Sequence, residues 1–401
     1  MSEAVIDPAR HVPLAAAPWD AAEVSRAIDE IVADTLAHAN AAAGWPAHPM
    51  DEHVADGHAS FYVGATGVLW ALHYLQRVGA THLPIDLRPA LPPLLARIKA
   101  EFTRENLGEY AEHGSLLFGD MGTALLAMRI DPRPEHAALI ARRVAANDEL
   151  PLRELMWGTP GSMLACVHMG AMTGEARWER LFRAQAARLL GELEETELGP
   201  LWTQDLYGGH SRWLGPVHGY AGNMIPLLRG WAWLTAAQRD CVSDAVPRTL
   251  AGTAIRCEHG ATWQSRVDPS RPANLCQHCH GAPGMVTTFA DAPFAAPQLD
   301  ALLIEGGNFA WAAGPLAKGS NLCHGTGGNG YAFLKLYRRT GDVVWRERAR
   351  AFAMTAIAQC RAARAALGRG RFTLWTGDPG LAVYLWDCLT EEPRFPTIDV
   401  F

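Results

Sequence analysis

One short pattern constrains the fold of this chain more than any other feature: two glycines three positions apart, followed by an apolar run. Seven copies occur, at intervals from 39 residues (Gly119 to Gly158) to 62 residues (Gly219 to Gly281). Such quasi-regular spacing is typical of repeat architectures, in which each unit packs on its neighbours. The glycine pairs are Gly64 and Gly67, Gly119 and Gly122, Gly158 and Gly161, Gly219 and Gly222, Gly281 and Gly284, Gly325 and Gly328, and Gly377 and Gly380.

The segments between the glycine pairs carry the apolar period of an amphipathic helix. In 175–196, for example, Trp178, Phe182 and Leu189 fall on one face, with Arg and Glu opposite. Strand-like alternation is nearly absent, so we predict seven helix pairs in an all-α fold. The other amphipathic segments lie at 342–366 and near 20–43, 84–106, 133–147, 236–256 and 296–312.

The runs that follow the glycines lack a polar stripe and should therefore be buried on most sides. Alternating amphipathic and apolar helices fit two concentric layers, with the apolar helices inside. A closed ring is favoured because it leaves no repeat exposed at an end. The glycines should allow close packing and positive φ angles, and the turns should gather at one mouth of the ring.

Bulk composition excludes several classes of function. The formal net charge of −7 is too acidic for an electrostatic nucleic-acid footprint, and no apolar run is long enough to insert in a membrane. The N-terminus lacks the basic flank and apolar stretch of a signal peptide, so a cytoplasmic location is expected. We predict an N-terminal extension over 1–18 and a single domain over 19–401.

Three of the seven turns carry cysteine or histidine at the first glycine: "PVHGYAG" with His218, "CQHCHGAPG" with Cys276, His278, Cys279 and His280, and "NLCHGTGG" with Cys323 and His324. Zinc prefers sulfur and nitrogen ligands, and a catalytic zinc site keeps one position open. Adjacent residues diverge by about 100° on a helix but can face one point from a glycine-rich turn. We therefore predict a zinc site formed by Cys279, Cys323 and His324.

Other interpretations of these cysteines stay open. Cys276 and Cys279 have the C-x-x-C spacing of a structural zinc site or a redox pair, and Cys323 and His324 could be a buried pair without metal. We expect the remaining cysteines to be small buried hydrophobic residues: Cys166, Cys241, Cys257, Cys360 and Cys388.

The segments "GPVHGYAGN", "HCHGAPG" and "KGSNLCHGTGGNGYAFLKLY" resemble motifs of the lanthionine synthetase C (LanC) family. That family includes bacterial lantibiotic cyclases and LanC-like proteins that bind glutathione. The likeness spans nearly the whole chain, because all seven turns match. It implies an α/α toroid of fourteen helices, seven inner and seven outer, with a zinc ion (Zn2+) at one end bound by Cys279, Cys323 and His324.

The resemblance also implies roles for other residues. The family's catalytic histidine corresponds to His218, and Glu154 stands where the family often has a catalytic Asp. Lys318 resembles the lysine of the glutathione-binding members, and His280 points to the same branch as a substrate-binding residue. His278 replaces a tryptophan that is usual before the first zinc cysteine.

The activity that the resemblance implies is zinc-dependent Michael-type addition of a thiol to dehydroalanine or dehydrobutyrine, which forms a thioether. We expect glutathione as the thiol, because of Lys318 and because the chain shows no dehydratase domain, and a dehydroamino-acid-containing peptide or protein as the acceptor. The alternatives are a lanthipeptide cyclase that acts on a peptide thiol, and a non-catalytic zinc- and glutathione-binding adaptor. A glycosidase would instead use paired carboxylates, drawn from Glu154, Asp120, Glu305 and Asp378.

Overall fold

The computed structural model describes residues 5–40, 44–51, 57–103, 105, 108–112, 114–148, 150 and 152–401. These residues form fourteen α-helices and two short β-hairpins. In chain order, α1 to α14 are Ala21–Ala37, Ala65–Arg77, Leu91–Glu101, Asp120–Ile130, Pro134–Asp148, Thr159–Thr173, Ala176–Gly191, Tyr220–Arg229, Ala236–Thr253, Ala282–Phe289, Pro297–Ala313, Thr326–Thr340, Val343–Leu367 and Asp378–Thr390. Strands β1 and β2 are Gln204–Leu206 and Gly209–Ser211, and β3 and β4 are Ile255–Cys257 and Gly260–Thr262.

The helices form a closed ring of two layers. The even-numbered helices α2 to α14 each follow one of the repeated glycine turns, and each packs against the next even-numbered helix. The ring closes because α14 also packs against α2, and the odd-numbered helices lie outside, as α1 does against α14. The predicted α/α toroid, with seven inner and seven outer helices, is confirmed.

Burial separates the two layers as the apolar pattern predicts. All eight residues of the inner helix α10 are buried, whereas the outer helix α7 buries one stripe that includes Trp178, Phe182 and Leu189. Some outer helices begin at polar caps: Asp20 accepts hydrogen bonds from the first turn of α1, and Thr235 and Gln238 form a capping box on α9. None of the helices described for this chain is both long and apolar enough to span a membrane.

The glycine turns need glycine for close approach rather than for positive φ. Six of the seven first glycines have extended backbone, and only Gly281, with φ of 107°, has the positive value that we expected. The second glycine packs against a carbonyl oxygen six residues earlier: a Cβ on Gly328 would lie 1.7 Å from that of Leu322. The same contact occurs in all seven turns, so it explains the repeat.

Three details differ from the sequence-based expectations. Within the range predicted as helix, 84–106, the structure describes a helix over Leu91–Glu101, and residues 104 and 106 lie outside the described residues. The helix begins later than predicted because prolines at 84 and 89 disfavour helix in the preceding residues and prolines at 92 and 93 suit a first turn. The two hairpins were not predicted, since three-residue strands are too short to show alternation. Cys241 is exposed on α9 and Cys257 is half-buried in β3, so the prediction that both are buried was wrong.

The two residues before the first glycine of each turn, which we call the rim pair, occupy equivalent positions around one end of the ring. Backbone N–H groups of their first residues donate to carbonyls of the next turn: Tyr62 to Leu117 (2.9 Å), Trp375 to Tyr62 (3.3 Å), Cys323 to Trp375 (2.8 Å) and Cys279 to Cys323 (3.0 Å). These bonds join five of the seven turns at the predicted mouth. The rim pairs are Tyr62–Val63, Leu117–Phe118, Met156–Trp157, Val217–His218, Cys279–His280, Cys323–His324 and Trp375–Thr376.

The described part of the N-terminal extension packs beside this end of the ring. His11 pairs with Leu316 in an antiparallel bridge, and the imidazole Nδ1 of His11 lies 3.0 Å from the carbonyl of Gly314. The segment therefore contacts the loop that leads into the turn of Cys323.

Candidate functional site

The three residues predicted to bind zinc lie together at the mouth of the ring. One ligand atom from each of Cys279, Cys323 and His324 lies within 4.8 Å of the others. Both cysteines are buried, and His324 is partly exposed. Cys276 is also buried but does not join this group, so the described structure gives no support to the C-x-x-C pair as a metal site.

Neighbouring turns hold these residues by their backbone and by hydrogen bonds to sulfur. The Asn321 side chain accepts a hydrogen bond from the backbone N–H of His324 at 3.0 Å, which fixes the turn. The Tyr62 hydroxyl donates to Sγ of Cys323 at 2.7 Å, and the Gln277 side-chain amide donates to Sγ of Cys279 at 2.9 Å. Each sulfur thus accepts a hydrogen bond from its own donor, which lies on another turn for Cys323 and on the same turn for Cys279.

The two thiols influence each other's protonation. The hydrogen bond from Cys323 holds the pKa of the Cys279 thiol well below its ordinary value, and His324 acts in the same direction against the effect of burial. The same hydrogen bond, together with burial, raises the pKa of Cys323 well above its ordinary value. Two sulfurs beside an imidazole are a soft donor set, and this set fits a divalent zinc ion with one coordination position left for another ligand.

The predicted catalytic pair is in direct contact. Nδ1 of His218 lies 3.0 Å from Oε2 of Glu154, whose side chain is completely buried. The carboxylate also accepts hydrogen bonds from the backbone N–H groups of Met156 and Trp157. Since an ionised carboxylate only accepts, Nδ1 of His218 donates to it, and Nε2 keeps its lone pair for a reacting group.

Two further histidines contact this region in different ways. His280 lies beside His218, with 6.4 Å between the ring centroids, and burial lowers its pKa. His278 is fully buried and stacks on Phe395 with 4.2 Å between the ring centroids. His210 lies outside the site, in the exposed β1–β2 hairpin, where it pairs with Asp205.

Lys318 is exposed and lies near the site. Its positive charge contributes, after burial and the charge of His218, to the lowered pKa of His280. It also acts to lower the pKa of Cys323, although the hydrogen bond with Cys279 and burial dominate that group. Lys318 is therefore close enough to attract an anionic ligand to the mouth.

The carboxylates that a glycosidase would need do not form a pair. Asp120 is engaged by Arg143 through two hydrogen bonds of 2.9 and 2.8 Å, and Glu305, on the outer helix α11, pairs with Arg256 of β3. Asp378 accepts a hydrogen bond from the backbone of Arg371.

One side of the mouth is lined by aromatic side chains, whereas the turns that carry cysteine and histidine present polar groups. Phe118 stacks on Trp157 with 4.7 Å between centroids, and Tyr207 meets the His218 ring edge-on at 5.5 Å. The rings follow one another in the order Tyr207, Tyr110, Trp157, Phe118, Tyr62 and Trp375. An apolar ligand could lie along this wall within reach of both reactive groups.

Tyr62 and Gln277 were not predicted to belong to the site. A signal for Tyr62 was present, because it occupies the same position in its turn as Cys279 and Cys323 do in theirs. Superimposing the seven turns would have found it. Gln277 has no such signal, since its position before Cys279 lies outside the rim pair.

Comparison with known proteins gives consistent results. The family model described as "Lanthionine synthetase C-like protein" matches residues 59–400. An 82-residue segment is 49% identical to LanC-like protein GCL1 of Arabidopsis thaliana, over 20% of this chain and 19% of that protein. A 211-residue segment is 33% identical to glutathione S-transferase LANCL1 of Danio rerio, over 50% of this chain and 47% of that protein. The matched segments thus span less than half of each curated relative.

Among solved structures, the chain resembles nisin cyclase. The TM-score is 0.56 and the sequence identity 14%, over 93% of this chain and 99% of the other. At this identity the likeness concerns the fold, and it agrees with the toroid described above. Because the family model spans most of the residues, this protein belongs to the lanthionine synthetase C-like family.

Proposed function

We propose that this protein is a zinc-dependent enzyme that adds the thiol of glutathione to a dehydroalanine or dehydrobutyrine residue. The observation that carries the proposal is the meeting of Cys279, Cys323 and His324 within 4.8 Å, with Cys279 on the turn that follows that of His218, the partner of Glu154. The relative named glutathione S-transferase LANCL1 supports glutathione as the thiol.

The donor set suits the first requirement of the reaction, a thiolate at neutral pH. A zinc ion bound by the two cysteines and the histidine would supply the positive charge that deprotonates an entering thiol. Lys318, exposed near the mouth, would bind a glutathione carboxylate. His280, which lies beside His218, would contact the bound substrate.

His218 serves the second requirement, proton delivery. When the thiolate sulfur bonds to the β-carbon, the electron pair of the double bond moves to the α-carbon side as an enolate, which must be protonated. The Nε2 atom of His218 takes up the proton that the entering thiol releases and then donates it to the enolate, and Glu154 keeps the imidazole in the required orientation and stabilises its cationic form. The partly exposed position of His218 leaves room for a substrate.

The test is turnover by the purified, zinc-loaded chain. Glutathione and a dehydroalanine-containing peptide are incubated with it, and the peptide is weighed by mass spectrometry. We expect the mass of the peptide to increase by that of one glutathione, and to do so faster than in a reaction without the protein. A protein that binds zinc and glutathione but yields no product across several acceptors would be a binding adaptor, and the enzyme proposal would be rejected.

A second candidate, the lanthipeptide cyclase, is favoured by the fold shared with nisin cyclase. It differs in the source of the thiol, which would be a cysteine of the acceptor peptide itself. A peptide with both a cysteine and a dehydroalanine distinguishes the two. Cyclisation leaves the mass unchanged but removes the free thiol, whereas conjugation adds glutathione.

The metal ligands are tested by a pair of matched cysteine variants. Cys323→Ser should lower zinc affinity by about 100-fold or more, because one thiolate of three ligands is lost. Cys276→Ser should retain zinc, since Cys276 is buried but outside the ligand group. Equal losses in chelator competition would contradict the assignment.

A further inference from the structure

The proposed reaction brings an electrophilic alkene to a centre that already contains two cysteine sulfurs. Cys279 and Cys323 are nucleophiles of the same chemical class as the entering thiol. Addition of either one to the alkene would produce a thioether, which is a poor zinc ligand, and would destroy the site. A device that favours the entering sulfur is therefore needed.

Each of these two sulfurs accepts a hydrogen bond from a neutral side chain. The donor to Cys323 is the hydroxyl of Tyr62, at 2.7 Å, and the donor to Cys279 is the amide of Gln277, at 2.9 Å. Gln277 is 6% exposed, and Tyr62 is partly buried against the core, so water has limited access to either bond. Neither donor has a role in the reaction steps proposed above.

Packing holds the Tyr62 hydroxyl in place. Its ring lies between Phe118 and Trp375, at centroid distances of 5.5 and 5.4 Å and interplanar angles below 30°. Its backbone N–H donates to Leu117, and its carbonyl accepts from Trp375. The hydroxyl therefore has little freedom to turn away from Cys323.

Gln277 is held by its backbone. Its N–H donates to the carbonyl of His280 at 3.0 Å, and its carbonyl accepts the His280 N–H at 3.1 Å. This tight turn encloses Cys279 between the two residues, which keeps the Gln277 amide next to Sγ of Cys279. The two sulfurs thus have separate donors from separate turns.

We propose that Tyr62 and Gln277 protect the two site cysteines from alkylation by the acceptor, and so direct addition to the entering thiol. The inference rests on the proposed function. A hydrogen bond to a thiolate stabilises its charge, and much of that stabilisation is lost when the lone pair forms a bond to carbon. An entering sulfur is free of these two donors, because each already serves a cysteine.

The side reaction that they suppress is a simple addition. The cysteine sulfur forms a bond to the β-carbon of the acceptor, the π pair moves to the α-carbon side, and the α-carbon takes a proton from solvent. No atom leaves, so the protein gains the full mass of one acceptor at one cysteine. That mass identifies the modified residue by peptide mapping.

The experiment compares the full-length, zinc-loaded wild type with Tyr62→Phe and Gln277→Leu. Each is incubated with N-acetyl-dehydroalanine methyl ester in the absence of glutathione, and adducts are mapped over time. Tyr62→Phe should modify Cys323 about tenfold faster than wild type, corresponding to about 1.4 kcal/mol of lost ground-state stabilisation. Gln277→Leu should accelerate modification of Cys279 instead.

A matched control is Tyr337→Phe, which removes a phenol near the end of α12 that lies away from the mouth. The Tyr337 hydroxyl donates to the carboxylate of Glu391 at 3.2 Å. Both cysteines should therefore react at wild-type rates. Zinc content and melting temperature are measured for every variant; Tyr62→Phe deletes one oxygen, so this variant decides the question if Gln277→Leu does not fold.

The inference would be overturned if folded Tyr62→Phe formed the adduct at Cys323 at the wild-type rate. It would also be overturned if both variants accelerated adduct formation at the same cysteine. Failure of the proposed function gives a different result: the wild type adds no glutathione to any acceptor. The mapping still reports whether the hydrogen bonds shield the cysteines, because it needs no turnover.

Discussion

The contact between Glu154 and His218 gives the sharpest prediction for the proposed chemistry. Replacement by Gln keeps the size of the side chain but puts an NH2 group where one carboxylate oxygen was. Oε2 accepts from Met156 at 3.1 Å and faces Nδ1 of His218 at 3.0 Å, and Oε1 accepts from Trp157. Either orientation of the amide therefore opposes one backbone N–H, at a cost of about 1–3 kcal/mol.

The effect on the reaction should exceed the effect on stability. Without the anion, the His218 imidazole loses its fixed tautomer and the stabilisation of its cation, so the rate of thioether formation should fall about 100- to 10,000-fold. Zinc content should be unchanged, because the pair lies outside the ligand group. The rate is measured by mass spectrometry at saturating glutathione.

Two further variants make the result specific. Glu154→Asp restores the charge on a shorter side chain and should recover part of the lost rate. Glu192→Gln removes a carboxylate that pairs with Arg153 and does not contact His218, so it should leave the rate unchanged. A Glu154→Gln enzyme as fast as the wild type would refute the assignment of Glu154 as the partner of the catalytic histidine.

Three predictions concern the scaffold. Lys335, with no exposed side-chain surface, contacts Asp291 and Asp399, so Lys335→Met should lower the free energy of unfolding by about 3–5 kcal/mol in urea titrations. Burial opposes ionisation of Asp291, but Lys335 and Arg229 outweigh it and lower its pKa to about 2. This contribution, roughly 2 kcal/mol, should be present above pH ~4 and be lost as pH falls toward 2, and Lys335→Met should lack much of that dependence. Gly328→Ala, whose Cβ would lie 1.7 Å from a backbone oxygen, should lower the free energy of unfolding by about 3 kcal/mol and lower the melting temperature. Gly191→Ala, whose Cβ would have no atom within 4 Å, should change the melting temperature little. Equal effects of the two substitutions would contradict the close-packing explanation.

The fold could be predicted because its main constraint is local. The glycine of each turn is required by a carbonyl six residues away, such as that of Leu322 for Gly328, so the requirement is written in a short stretch and repeated. Of the two reasons that we gave, close packing was correct for all seven turns, and positive φ was correct only for Gly281. The number and order of the helices did not depend on that detail.

The site could be predicted in part. Cys279, Cys323 and His324 could be found because their residue types are unusual on such a turn, and His218 and Glu154 because of the family likeness. The hydrogen bond from Tyr62 to Cys323 joins residues 261 positions apart, and nothing near either one specifies it. Long-range contacts between ordinary side chains depend on the closed ring, so they became visible only with the structure.

Because the rim pairs occupy equivalent positions, the residues that could react can change without a change in the packing of the helices. Val217 holds the place in its turn that Cys279 holds in the next one along the chain, so a thiol there would stand beside an existing histidine without any change in helix packing. A point mutation at a rim-pair position could thus introduce a new reactive group. The seven rim pairs are structurally equivalent positions. In related toroids a reactive centre could therefore move to another repeat, or be duplicated there, while the helical framework stays the same.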